Sequence, residues 1–229
     1  MMDALSAWPR ARARVVVALS IIVFLPCATG TATAEPCRAR ASNYPAASPQ
    51  EVDGLRQLCL AAQSGRPEAQ YNLGLVYARP VPGSPFADQT EAARLFRLAA
   101  DQGLAPAQSY LALFYQEGAA GLPKDETEAA RLYRLAADQG DLFALNSLGL
   151  FHEDGRGGLP RDDAAAAQLF RRAAEGGFDS AQLNLATFYE QGRGGLPRDL
   201  AEAVRWYQAA ARSGLPTAQM ALIRLGRRW

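Results

Sequence analysis

The chain has 229 residues, with 24 Lys+Arg against 23 Asp+Glu and a single His, for a formal charge of +1. That length suffices for one domain with a substantial core. So even a charge balance excludes a field strong enough to recruit nucleic acid or acidic lipid by itself. Lys124 is the only lysine, a composition bias from which no function follows.

The N-terminus differs in kind from the rest. Arg10, Arg12 and Arg14 precede the apolar run Val15–Leu25, which at 11 residues is well short of the ~20 needed to span a bilayer. A basic region, a short apolar core and small residues at Ala32-Thr33-Ala34 make a secretory signal, with cleavage expected after Ala34. Two other readings stand beside it: lipidation of Cys27, for which Phe24-Leu25-Pro26 is a poor lead-in, and retention as an uncleaved anchor, which the shortness of the run disfavours. Cleavage takes away three arginines and Asp3, leaving 21 basic against 22 acidic residues in a neutral periplasmic or secreted chain. That chain keeps Cys37 and Cys59, and an even pair in an oxidising compartment reads as a disulfide. The alternative is two free thiols, with Cys59 buried on a helix.

Residues 35–50, "EPCRARASNYPAASPQ", are rich in Pro, Ala and Ser and lack apolar periodicity, which predicts a linker or extended arm. Beyond them the chain repeats. The dipeptide Ala-Gln stands at 69, 107, 181 and 218, with Ala144-Leu145 in the gap, so the steps are 38, 37, 37 and 37. Gly103, Gly140, Gly177 and Gly214 confirm the step of 37. A fixed period of this size means a stacked helical array. Full repeats are expected at 69–106, 107–143, 144–180 and 181–217. Residues 51–68 match only a second helix and residues 218–229 only a first, as half-repeats that cover the ends of the stack. The fold class is therefore all-α, an α-α superhelix.

The first helix of each repeat is typified by "AQLNLATFYEQG" (181–192), with Leu185, Phe188 and Tyr189 at i, i+3 and i+4 on one face. Ala186 in that face is Gly74, Ala112 and Gly149 in the sister repeats, small residues that let the partner helix approach closely. The second helix is typified by "LAEAVRWYQAAARSG" (200–214). Asp199 with Glu202, Asp125 with Glu128 and Asp88 with Glu91 have the spacing of a capping box. Asp162 lacks the glutamate and is expected to cap alone. The closing glycine suits a left-handed stop.

First helices reading A-Q-x-x-L-[GA]-x-x-Y, G-x-G-x-P-x-D-like connectors and second helices reading A-x-x-[FWY]-[FY]-x-x-A-A-x-x-G resemble the Sel1-like repeat family, relatives of the tetratricopeptide repeat. The resemblance covers about residues 52–229. There are two departures: a proline-rich "ARPVPGSPFAD" connector at 78–88, and His152 where sister repeats have Tyr77, Tyr115 and Tyr189.

Chemical readings of the same residues fare poorly. "GRGGLPRD" occurs at 155–162 and 192–199. It follows a helix, lacks the lysine of a phosphate loop and places Asp where phosphate would sit. His152-Glu153-Asp154 cannot converge on a metal, because adjacent helical residues point about 100° apart and no second histidine exists. A Ser-His-acid arrangement would need His152 with Ser147, five residues away and poorly aligned on one face. No G-x-S-x-G or S-x-x-K signature occurs. Trp206, beside Tyr207, is expected in the core, whereas Trp229 is open to packing or exposure.

Resemblance to Sel1-like proteins implies a non-enzymatic scaffold or adaptor that binds a protein or peptide partner in the cell envelope, with a possible regulatory role. It implies no cofactor and no metal. By analogy with tetratricopeptide arrays, in which the first helices line the concave groove, it points to Asn72, Gln116, Asn146, Glu153, Asn184 and Glu190 as groove residues. An alternative within the resemblance is a peptidoglycan-associated or β-lactam-interacting protein. The cysteine-rich members linked with β-lactams carry a cysteine pair in each repeat, and here none follows Cys59. A solenoid that partners its own copy is a further reading.

Overall fold

The computed structural model describes residues 49–78 and 88–228. Among these are ten α-helices and no strand, arranged as an all-α superhelix. They are α1 Pro49–Gln63, α2 Pro67–Ala78, α3 Gln89–Asp101, α4 Ala105–Glu117, α5 Glu126–Asp138, α6 Leu142–Asp154, α7 Asp163–Glu175, α8 Asp179–Gln191, α9 Leu200–Arg212 and α10 Pro216–Arg224. The helices pair as α2 with α3, α4 with α5, α6 with α7 and α8 with α9, and these pairings are more extensive than those linking one pair to the next. α1 begins at Pro49, inside the stretch expected as linker. A proline at the first helical position forgoes a donor that would have no partner there anyway. The signal segment, Cys27, Cys37 and Trp229 lie outside the described residues.

The core is a column of second-helix aromatics set against small first-helix residues. Phe96, Tyr133 and Phe170 are fully buried and Tyr207 nearly so. A Cβ added at Gly74 would lie 2.7 Å from Cε1 of Phe96, and one at Gly149 would lie 2.6 Å from Cε1 of Phe170. Ala112 and Ala186 hold the same position where the ring is Tyr133 or Tyr207. Those rings are tethered by their hydroxyls, which donate to Gln116 at 3.1 Å and to Glu190 at 2.8 Å.

Each second helix starts on its aspartate. The carboxylate of Asp125 accepts from the N–H groups of Thr127 and Glu128, that of Asp162 from Ala164 and Ala165, and that of Asp199 from Ala201 and Glu202. Asp88 accepts from Glu91. Each such cap is worth about 1 kcal/mol. The reciprocal half of the expected capping box is absent. Glu91, Glu128 and Glu202 reach forward to Arg94, Arg131 and Arg205 instead. The aspartate N–H they would have accepted is already taken by a main-chain carbonyl of the first helix. Asp88 donates to Tyr77 at 3.1 Å, Asp125 to Tyr115 at 2.8 Å, Asp162 to His152 at 2.8 Å and Asp199 to Tyr189 at 2.9 Å.

The glycine connectors carry the chain between the helices. Gly118, Gly155 and Gly192 end their helices in the left-handed conformation. Gly157 and Gly194 also have positive φ, and a Cβ on either would run into the backbone oxygen of Glu126 or Asp163 in the preceding repeat. The connector is therefore pressed against its neighbour, and glycine is what allows that approach.

Candidate interaction surface

Equivalent positions on successive first helices lie one repeat apart, within reach of their neighbours' side chains. Of the six expected groove residues, Asn72 on α2 is exposed. The other five hold partners within the array. Gln116 accepts from the Tyr133 hydroxyl at 3.1 Å and donates to Glu117 at 2.9 Å. Asn146 is buried and accepts from Nδ2 of Asn184 at 2.9 Å, a bond from one repeat to the next. Glu153 accepts from Arg193 at 2.7 Å. Glu190 accepts from Arg224 and from Tyr207, both at 2.8 Å. The Arg224 guanidinium, followed by the Tyr207 hydroxyl, holds the Glu190 carboxyl below its ordinary range, against the opposing effect of burial.

Between these polar residues runs an apolar row. Leu75, Leu113 and Leu150 occupy one position on three consecutive first helices, and all three are half-buried. Asn72 lies three residues before Leu75, on the same side of α2. Tyr71 and Tyr110 stand beside the row with ring centroids 5.8 Å apart. The surface thus offers apolar contact flanked by polar side chains, four of which, Asn146, Glu153, Asn184 and Glu190, are held by bonds to the adjacent repeat.

Two arginines that sequence reasoning passed over tie the repeats together. Arg193, in the second copy of GRGGLPRD, forks onto Asp163 with Nε and Nη2 at 3.0 Å and reaches Glu153 with Nη1. Its guanidinium also lies 4.4 Å from the Phe188 ring centroid. Arg156 repeats the arrangement with Glu126, at 2.8 and 3.3 Å, and with Phe151 at 4.8 Å. Hydrogen bonds from Arg156 and then Lys124 lower the Glu126 carboxyl from its ordinary 4.5 to about 2. The signal was present in the sequence: an arginine after the same connector glycine, with an acid 30 residues earlier in both repeats.

A second ladder uses amides. Gln70, Gln108 and Gln182 each donate to the carbonyl eight residues back, at 3.3 Å. Gln102 and Gln139 then donate to Gln70 and Gln108, at 2.7 and 2.9 Å. Ser213 holds the corresponding place opposite Gln182 and is too short to reach, so the Gln182 Oε1 is left without a partner.

His152 sits half-buried in its tyrosine position, and its Nδ1 is buried with no partner. In the flanking repeats Arg97 donates to the Tyr115 hydroxyl at 2.7 Å and Arg171 to the Tyr189 hydroxyl at 3.3 Å. Arg134 stands at the same 18-residue spacing before His152, and an imidazole falls short of where a phenol oxygen would be. Among the described residues no group of three or more His, Cys, Asp or Glu is placed to hold a metal ion. Trp206 is half-buried, with the Arg205 guanidinium 5.5 Å from its ring centroid, while Tyr207 beside it is buried. Cys59 is buried on α1.

Comparison with known proteins places this geometry. The Sel1 repeat model matches residues 67–104, 105–141, 142–178 and 179–215, well over half of the chain. The chain belongs to the Sel1 repeat family. Solved structures agree. A Sel1 repeat protein of Oxalobacter formigenes is 34% identical with a TM-score of 0.64, over 74% of this chain and 65% of that one. A protective antigen present in uropathogenic Escherichia coli strains is 32% identical with a TM-score of 0.64, over 80% of this chain and 38% of that one. The chain thus spans less than two thirds of either relative. An immunity protein of Pseudomonas aeruginosa, 19% identical over 86% of this chain and 72% of its own, shares the fold with a TM-score of 0.52. No match was found among curated proteins. Sel1 repeats generally mediate protein–protein interaction, and no described helix of this Sel1 repeat chain is long and apolar enough to cross a membrane.

Proposed function

We propose that this Sel1 repeat chain is an exported scaffold or adaptor of the cell envelope, freed of its signal after Ala34, which holds a protein partner on the face of its first helices. A Cys37–Cys59 bridge fastens the N-terminal arm to α1, and the partner's binding is regulatory. The observation that carries the reading is the half-exposed row Leu75, Leu113 and Leu150, with Asn72 open beside it. A solvated face has no need of leucine at one position in three successive repeats, whereas a partner helix or extended peptide gains from burying it. Asn72 is free to bond that partner, and the part-exposed Gln116, Glu153, Asn184 and Glu190 present the lone pairs and hydrogens they do not use internally. The relative in uropathogenic strains is a protective antigen, which agrees with an exported chain.

The test is crosslinking in the native envelope, from a photoreactive residue placed at Leu113, followed by mass spectrometry of what is attached. A defined protein adduct is expected. It should vanish with Leu150→Arg and persist with Gln168→Arg, an exposed position on a second helix. Adducts made only of peptidoglycan fragments, or a protein adduct indifferent to a well-folded Leu150→Arg, would overturn the assignment.

A further inference from the structure

The two helix layers differ in charge. The first helices α2, α4, α6 and α8 carry Glu68, Glu117, Glu153, Asp154, Asp179 and Glu190 and not one lysine or arginine. The second helices α3, α5, α7 and α9 balance eight arginines with eight acids. Connector cations do not make up the difference, because Lys124 and Arg156 pair with Glu126, and Arg161 and Arg193 with Asp163. Arg193 also reaches Glu153, and Arg224 covers Glu190. Glu68, Glu117 and Asp154 stay exposed. Among the described residues no cation comes nearer to these three than the 4.0 Å between Arg156 and Asp154.

Two of the open acids stand beside the leucine row. Glu117 and Asp154 lie four residues after Leu113 and Leu150, hence on the same side of α4 and α6. Each is the last residue of its helix. There a carboxylate opposes the helix dipole and adds to the negative end of the main chain, so neither is placed to stabilise its own helix. The face therefore joins an apolar row to a flank of negative charge, and its complement is a surface that sets apolar residues beside cations.

The pitch of the row suits a helical backbone. The 2.9 Å bond from Asn184 to Asn146 joins successive first helices at ordinary packing distance, about 10 Å. Seven residues of an α-helix rise about 10.5 Å and return to nearly the same face. A strand returns to one face after about 7 or 13 Å, out of step with the row.

We propose, taking the first-helix face as the docking face, that the segment held there is a cationic amphipathic helix. It sets one large apolar residue in each seven against Leu75, Leu113 and Leu150, with lysine or arginine beside it facing Glu117 and Asp154.

The test is fluorescence anisotropy on the purified protein with three labelled helical peptides of about 22 residues, long enough to cross three first helices. One carries leucine at every seventh position flanked by lysine. The second has glutamate for each lysine, and the third has serine for each leucine. The leucine–lysine peptide should bind roughly tenfold tighter than either of the others. Its binding should be abolished by Leu150→Arg and weakened about fivefold by Glu117→Gln with Asp154→Asn, the effect of two exposed pairs. That second difference should fade in about 1 M salt. Circular dichroism checks the fold of each variant, and the serine peptide probes the leucine contact with the protein unaltered. A glutamate peptide that binds as tightly as the lysine peptide, yet is lost with Leu150→Arg, would overturn the cationic assignment and leave the docking face standing. So would an unchanged affinity in the Glu117→Gln, Asp154→Asn variant. Binding that ignores both Leu150→Arg and the loss of the peptide's leucines, or no binding of any peptide, would overturn the face and the cationic helix together.

Discussion

Arg193→Ala isolates what the connector arginine does for the array. The wild-type side chain makes a forked pair with Asp163, a third bond to Glu153 and a face contact with Phe188. The three charged side chains are 25%, 29% and 23% exposed, so solvent screens the ion pairs but does not abolish them. Exposed pairs contribute roughly 0.2–1 kcal/mol each, and the fork geometry puts the Asp163 pair near the top of that range. The ring contact adds about 0.5–1 kcal/mol. The expected loss is therefore about 2 kcal/mol, read by urea denaturation. Arg193→Lys should recover less than half of it, since an ammonium cannot fork onto Asp163 and reach Glu153 together. A double-mutant cycle with Asp163→Asn should return a coupling of about 1 kcal/mol. Native-state hydrogen exchange adds a spatial check, because the Leu196 and Asp199 amides of that connector should lose protection before those of α2. A loss below about 0.5 kcal/mol, or a lysine variant as stable as the wild type, would refute the reasoning.

Two other outcomes follow from groups already described. His152→Tyr replaces a buried, unpartnered nitrogen with a hydroxyl within reach of Arg134, so it should stabilise the chain by about 1 kcal/mol, and a thermal midpoint that falls would argue against that geometry. The acid limb of stability should lie below pH 4.5, where unfolded Glu126 takes up a proton that the folded chain refuses until about 2. The unfolded state then binds more protons, so stability falls as pH drops through that window and is fully present above it. Asp163 and Glu190, lowered by Arg193 and Arg224, act in the same direction. Glu126→Gln should flatten part of the limb, and a thermal midpoint constant from about pH 5 to pH 3 would contradict the assignment.

What the sequence made legible was whatever recurs with the period. The Ala-Gln marker, the small residue facing the ring and the aspartate at each second helix are local, and a single repeat is enough to interpret them. The glutamates three residues after those aspartates misled, because spacing alone does not show that the N–H in question is bonded to a carbonyl ten or eleven residues earlier. Contacts between repeats were the least readable. Arg193 with Asp163, Asn184 with Asn146 and Gln139 with Gln108 are separated by 30 to 38 residues. They emerge only when the chain is compared with itself one repeat away and opposite partners are sought. Contacts of that kind hold four of the six groove candidates, Asn146, Glu153, Asn184 and Glu190, and Gln116 is bonded within its own repeat. Polar side chains on one face of stacked helices meet their neighbours first.

The main-chain bond from each aspartate N–H to the carbonyl at the end of the first helix has one more consequence. It belongs to the backbone, so it does not depend on the side chain at either end, and His152 replaces tyrosine without breaking it. It also does not depend on how much chain lies between. The span is ten residues in three repeats and eleven from Tyr77 to Asp88, which accounts for the single repeat of 38. Each helix pair is thus closed by its own latch, while the arginine and glycine within the span, at 156–157 and 193–194, rest on the preceding repeat. Beyond them, after Gly158 or Gly195, where an added Cβ meets nothing within 4 Å, the array can accept foreign residues, such as an epitope or a reporter peptide, with the latch and the contact between repeats both left in place.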